Sequence, residues 1–135
     1  MASSPPDATI WIKPGDETVC IIDQRHLPYR LAIEELKTAA EMAAAVHEMH
    51  VRGAILLGAA GAYGVYLAAR EAQGAADFEA ALDRGADLIR RARPTAVNLA
   101  WGVDTVRAAI AGVHTPAAKV AAVRAAAEAL AAEEN

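Results

Sequence analysis

The sequence predicts an α+β, mostly helical domain: a short amino-terminal β-hairpin, with room for a third strand, followed by a bundle of about five helices. Two β-rich runs flank Pro14-Gly15-Asp16-Glu17 near the start. From Thr38 onward apolar residues recur at helical spacing, with breaks at Gly53, Gly74, Arg93-Pro94 and Gly112. Aromatic residues make up 4% and hydrophobic residues 55%, so the interior must be built from Ala, Val, Leu and Ile. Small side chains let helices approach closely, but each buries little area.

The hairpin strands are expected over residues 8–13 and 18–23. Pro presets φ and Gly tolerates positive φ in the turn between them. A polar connection over 24–28 leads to a candidate third strand over 29–36, where the alternation is imperfect. Thr38 and Glu41 form a capping box, in which hydroxyl and carboxylate satisfy reciprocal backbone donors. Met42, Ala45, Val46 and Met49 follow on one face, and Gly53 ends that helix. A second helix over 54–72 is apolar on nearly every side, which places it at the centre of the domain; its Gly58, Gly61 and Gly64 point to close helix packing. Gly74 ends it.

A third helix over 75–92 is expected to turn Phe78, Leu82 and Leu88 inward, with Glu79, Asp83, Arg84 and Arg91 outward. Pro94 stops it, because the residue before proline is biased away from helix. A fourth helix over 97–111 carries Leu99, Val103, Val106 and Ile110, with Thr95 as its expected cap. Thr115-Pro116 opens a fifth, Thr at the N-cap and Pro in the first helical position. That helix runs into Glu133-Glu134-Asn135, where acidic residues face the negative end of the helix dipole, as expected of a chain cut inside a helix. The expected organisation is a frayed tail over 1–7 and one domain over 8–135.

The 13 basic and 17 acidic residues give a formal net charge of -4, which provides no general attraction for nucleic acid. Nothing at the start resembles a secretory leader, and the apolar stretch over 55–69 is too short to span a bilayer comfortably. A soluble, cytoplasmic protein is expected. Cys20 is the single cysteine, expected as a buried apolar filler in a strand. His26, His47, His50 and His114 lack metal-ligand spacing, and Asp23, Glu34 and Glu35 lack a partner for general acid–base work. No metal or cofactor is expected.

Two places combine a basic residue with a helix start. Arg52-Gly53-Ala54 precedes the second helix, where unpaired backbone N–H groups and the dipole favour an anion; Gly53 permits close approach and Arg52 a bidentate clamp. Arg93 stands before the fourth helix, on an approach stiffened by Pro94. On pattern alone, both also fit ordinary helix connectors.

Four motifs in order carry a family resemblance: Ile22-Asp23-Gln24-Arg25-His26-Leu27-Pro28, Val51-Arg52-Gly53-Ala54, Ala62-Tyr63-Gly64-Val65 and Arg93-Pro94-Thr95-Ala96-Val97-Asn98-Leu99. The series resembles the amino-terminal part of methylthioribose-1-phosphate isomerases of methionine salvage. That superfamily also holds ribose-1,5-bisphosphate isomerases and regulatory subunits of a translation-initiation exchange factor. The resemblance implies an aldose–ketose isomerisation of 5-methylthioribose 1-phosphate to 5-methylthioribulose 1-phosphate. It assigns substrate contacts to Arg52, Gly53, Ala54 and Arg93, and leaves a homodimer of the full-length enzyme open. The family's catalytic cysteine and aspartate belong to a following Rossmann-like lobe, and Cys20 is not the matching cysteine. The chain is therefore expected to be a phosphopentose-binding domain without that lobe, inactive alone. Where the family usually has proline after Arg-Gly-Ala, this chain has Ile55, which leaves another phosphorylated pentose open as substrate. A free-standing sugar-phosphate-binding or helical interaction module is the competing class.

Overall fold

The computed structural model describes residues 10–13, 18–22, 33–48 and 54–132. The expected tail, the 14–17 turn, the 24–28 connection, the start of the third strand, Met49, Gly53 and the last three residues lie outside them. Three strands, β1 (Ile10–Lys13), β2 (Thr18–Ile22) and β3 (Ile33–Leu36), form an antiparallel sheet in sequence order. Ile10 pairs with Ile21 and Ile12 with Val19, while Val19 pairs with Leu36 across the next seam. Because side chains alternate along a strand, these residues share one face, and all are buried in the main core. Trp11 and Cys20, paired on the opposite face, form a small buried cluster of their own. Cys20 is therefore the apolar filler expected of it.

Five helices follow: α1 (Ala39–His47), α2 (Ala54–Ala72), α3 (Phe78–Arg91), α4 (Val97–Ala109) and α5 (Pro116–Ala132). Thr38 and Glu41 make the expected capping box at α1. Asp77 caps α3 by accepting from the Ala80 N–H at 3.1 Å, so that helix starts later than the hydrophobic pattern suggested. Thr115 accepts from the Ala118 N–H at 3.2 Å to open α5.

The bundle is built around α2, which packs against α1, α3, α4 and α5. Tyr63, Tyr66 and Leu67 of α2 are buried, as its all-round apolarity requires. Its glycines set the spacing to its neighbours. A Cβ on Gly61 would lie 2.5 Å from the carbonyl oxygen of Leu99, and one on Gly102 would collide with the carbonyl of Gly58. Here α2 and α4 meet backbone to backbone. On the α3 side, a Cβ on Gly85 would lie 2.5 Å from the Ala68 Cβ.

Two expectations are corrected. Leu88 does not face inward: it is 43% exposed, and Ile89 takes the core position with Leu82 and Ala86. At about 100° per residue, Leu88 falls about 240° round the helix from Leu82, whereas Ile89 returns to within about 20°. Thr95 does not cap α4: the helix starts at Val97, as expected, so Ala96 rather than Thr95 occupies the N-cap, and it makes no side-chain cap bond. On the surface, Arg90–Asp104 and Arg107–Asp83 ion pairs tie α3 to α4, and Lys119–Glu79 ties it to α5.

The α2–α4 contact gives a direct test. Gly102→Ala should destabilise the domain by about 2 kcal/mol, since backbone cannot yield as a flexible side chain does, lowering the thermal midpoint by roughly 5–10 °C. Gly112→Ala, where a Cβ meets nothing within 4 Å, should leave the midpoint within about 2 °C or raise it slightly. Thermal unfolding of both variants by circular dichroism checks the contrast.

Candidate functional site

The half-buried Arg93 stands in the short connection from α3 to α4. Ala92 ends α3, its N–H donating to the Ile89 carbonyl at 3.1 Å. The Ala96 N–H donates to the Arg93 carbonyl at 2.9 Å, closing a turn over 93–96 with Pro94 in its second position, where fixed φ suits a tight turn. This turn holds the backbone of Arg93 against the start of α4.

That helix start differs from three others. Thr38, Asp77 and Thr115 supply side-chain oxygens to the first turns of α1, α3 and α5. No side chain caps α4, and neither α2 nor α4 has an acidic residue in its first turn. Helix N-termini carry unsatisfied N–H groups and partial positive charge. Among the described residues no capping side chain or first-turn carboxylate offsets that charge at α4, and Arg93 stands just before it, an arrangement suited to an anion.

The glycine contact relates the two helix starts. Gly58 lies against the first turns of α4: a Cβ there would be 3.6 Å from the Asn98 carbonyl oxygen and 3.5 Å from the Trp101 ring. Ala54 opens α2 about 6 Å along the axis from Gly58, and Val97 adjoins Asn98. Both starts thus lie within about one helical turn of the crossing. Of the expected contacts, Arg93 and Ala54 stand at these starts, whereas Arg52 and Gly53 lie outside the described residues.

Two features here were not legible as functional signals. Val97 and Trp101, one turn apart on α4, are 78% and 51% exposed, leaving an apolar strip beside the Arg93 turn. His47, which lacks metal-ligand spacing, is exposed, yet its Nδ1 lies 3.1 Å from the Ala92 carbonyl oxygen. That contact joins residues far apart in sequence, so no local pattern announces it.

Elsewhere, a shallow groove of about 480 Å³ is lined by Asp83, Arg84, Asp87, Arg90 and Arg107. Asp83 pairs with Arg107 inside it, while Asp87 pairs with Arg91 at 2.6 Å and Arg90 with Asp104 beside it, which weakens it as an anion site. Among the described residues no group of three or more His, Cys, Asp or Glu can hold a metal ion, and no helix is long and apolar enough to cross a membrane. Burial pushes the Tyr63 phenol from 10.0 up to about 12, with Glu128 adding to the rise and Arg124 opposing it. The hydroxyl is therefore a neutral core group at ordinary pH.

Residues 50–134 match the Initiation factor 2 subunit family. The chain is 47% identical over 129 residues to a methylthioribose-1-phosphate isomerase of Desulfosudis oleivorans, an alignment covering 96% of this chain and 35% of that protein. Among solved structures, translation initiation factor eIF-2B, subunit delta, from A. fulgidus superposes with a TM-score of 0.85 at 36% identity, covering 93% of this chain and 37% of that one. The 5-methylthioribose 1-phosphate isomerase from Pyrococcus horikoshii OT3 superposes with a TM-score of 0.83 at 27% identity, covering 98% and 37%. The chain spans about a third of the length of these relatives.

The raised Tyr63 pKa carries a pH dependence. The unfolded phenol ionises near 10.0 and the folded one near 12, so the neutral folded form is favoured fully below the lower value. Its stabilisation is lost as pH rises through that window. The expected loss is on the order of 2 kcal/mol, and Tyr63→Phe should remove that share of the alkaline decline. Urea denaturation of both proteins at pH 9 to 12 provides the check.

Proposed function

The chain belongs to the Initiation factor 2 subunit family, and from that premise we propose that it is the amino-terminal, substrate-binding domain of an aldose–ketose isomerase acting on 5-methylthioribose 1-phosphate. The product is 5-methylthioribulose 1-phosphate, and the setting is methionine salvage in the cytoplasm. The observation that carries the reading is the uncapped start of α4 beside Arg93, with the α2 start about one turn from the same crossing. The named isomerase relatives supply the substrate class.

The substrate carries its phosphate on C1, so the sugar ring cannot open as a free hemiacetal does. Anchoring that phosphate is then a means of fixing C1 and C2 relative to the groups that move the hydrogen. Arg93 and the first N–H groups of α4 hold the anion, together with Arg52 and Gly53 ahead of α2 and Ala54 at its first position. Guanidinium bonds to phosphate are charge-assisted and directional. The reacting cysteine and aspartate belong to a further Rossmann-like lobe, and the exposed Val97–Trp101 strip supports the docking of that lobe next to the anion site. The full-length enzyme works as a homodimer. With Ile55 in place of the family's proline, the helix keeps a backbone donor at this position, and another phosphorylated pentose remains an alternative substrate.

A second reading draws on the likeness to the initiation-factor subunit, 36% identical, which is below the 47% identity to the Desulfosudis oleivorans isomerase. On that reading the chain is a stand-alone sugar-phosphate-binding or helical interaction module. The coding sequence downstream of Asn135 separates the two: an isomerase requires a region for the second lobe, and a stand-alone module does not.

Calorimetry with 5-methylthioribose 1-phosphate should show saturable binding, weakened at least about tenfold by Arg93→Ala and by Arg52→Ala, the loss expected for a charge-assisted contact. Unchanged weak binding in both variants would remove the anion site. The purified chain alone should show no turnover in a coupled isomerase assay, and measurable turnover would overturn the assignment of the chemistry to another lobe.

A further inference from the structure

The Ala92 carbonyl occupies an unusual position in the chain. In a continuing α-helix it would accept from the Ala96 N–H, four residues on. Here that N–H donates to Arg93 instead, and Pro94 has no N–H to offer. The carbonyl at the end of α3 therefore needs a donor from elsewhere. The exposed imidazole of His47, in the last turn of α1, lies 3.1 Å away through Nδ1. A carbonyl oxygen only accepts, so Nδ1 carries the hydrogen in this contact.

The oxygen in question belongs to the peptide unit whose nitrogen is that of Arg93. A bond from α1 to this oxygen fixes the orientation of the peptide plane from which the Arg93 side chain departs. We propose that His47 is a positioning residue for Arg93, acting through the Ala92 carbonyl. This rests on Arg93 being an anion contact, as argued above. Nothing in the sequence pattern of α1 required a histidine there, since the inward face of that helix is supplied by Met42, Ala45 and Val46. A donor at Nδ1 is what the turn demands.

The test uses the 135-residue chain with His47→Ala and His47→Asn, because the asparagine amide nitrogen takes the place of Nδ1 as donor. Amide hydrogen exchange read by nuclear magnetic resonance should show the Ala96 N–H of the alanine variant exchanging about fivefold faster, with near wild-type rates in the asparagine variant. Inorganic phosphate should bind the alanine variant about fivefold more weakly, again with recovery in the asparagine variant. Unchanged exchange at Ala96 in the alanine variant, or equal acceleration in both variants, would overturn the proposal. If the wild type binds no phosphate, the anion reading of Arg93 fails, while the exchange comparison still decides whether His47 holds the turn.

Discussion

The closeness of α2 to α4 is the constraint on which the rest of this fold depends. At Gly58 and Gly102 the two helices touch through their backbones, and a single methyl on Gly102 would strike the opposing carbonyl. A core poor in aromatic residues gains little area per side chain, so its stabilisation must come from short interaxial distances and close van der Waals contact. Alanine and glycine along α2 provide that distance, and α3 uses the same device at Gly85 against Ala68. The surface ion pairs between α3 and its neighbours are partly exposed and each contributes about 1 kcal/mol or less. They help set register, while the glycine contacts set spacing.

The same crossing has a functional consequence. Because it falls one turn into α2 and in the first turns of α4, it fixes the relation between two helix starts that lack acidic residues of their own. The Arg93 turn sits at one of them, held by its internal hydrogen bond and by His47 from α1. Packing in the middle of the bundle and geometry at its rim are thus one problem. A shift of α2 against α4 would move the proposed anion-binding groups together with the core.

Much of the architecture was legible because its signals are local. The capping box at Thr38, the cap at Thr115, the helix-breaking Pro94, the apolar faces of α1 and α4 and the all-round apolar α2 each lie within a few residues of what they specify. Leu88 lies too far round α3 from Leu82 to share its buried face, whereas Ile89 fits the helical period. Thr95 stands two residues before the first helical residue, Val97, one position too early for the N-cap that Ala96 fills. The role of His47 depends on a contact to the far end of α3, which no window of sequence contains. At the candidate site, the position of Arg93 just before the start of α4 followed from the turn chemistry, and the proposed substrate class rests on the motif order and the named relatives.

The central claim is that a phosphate sits at the α4 start beside Arg93. Titrating the 15N-labelled chain with 5-methylthioribose 1-phosphate and following backbone amide shifts tests it most directly. Saturable downfield shifts are expected at Val97 and Asn98, with the starts of α1, α3 and α5 unaffected. Saturable shifts confined to other helix starts, or none at Val97 and Asn98 when ligand is in large excess, would contradict it.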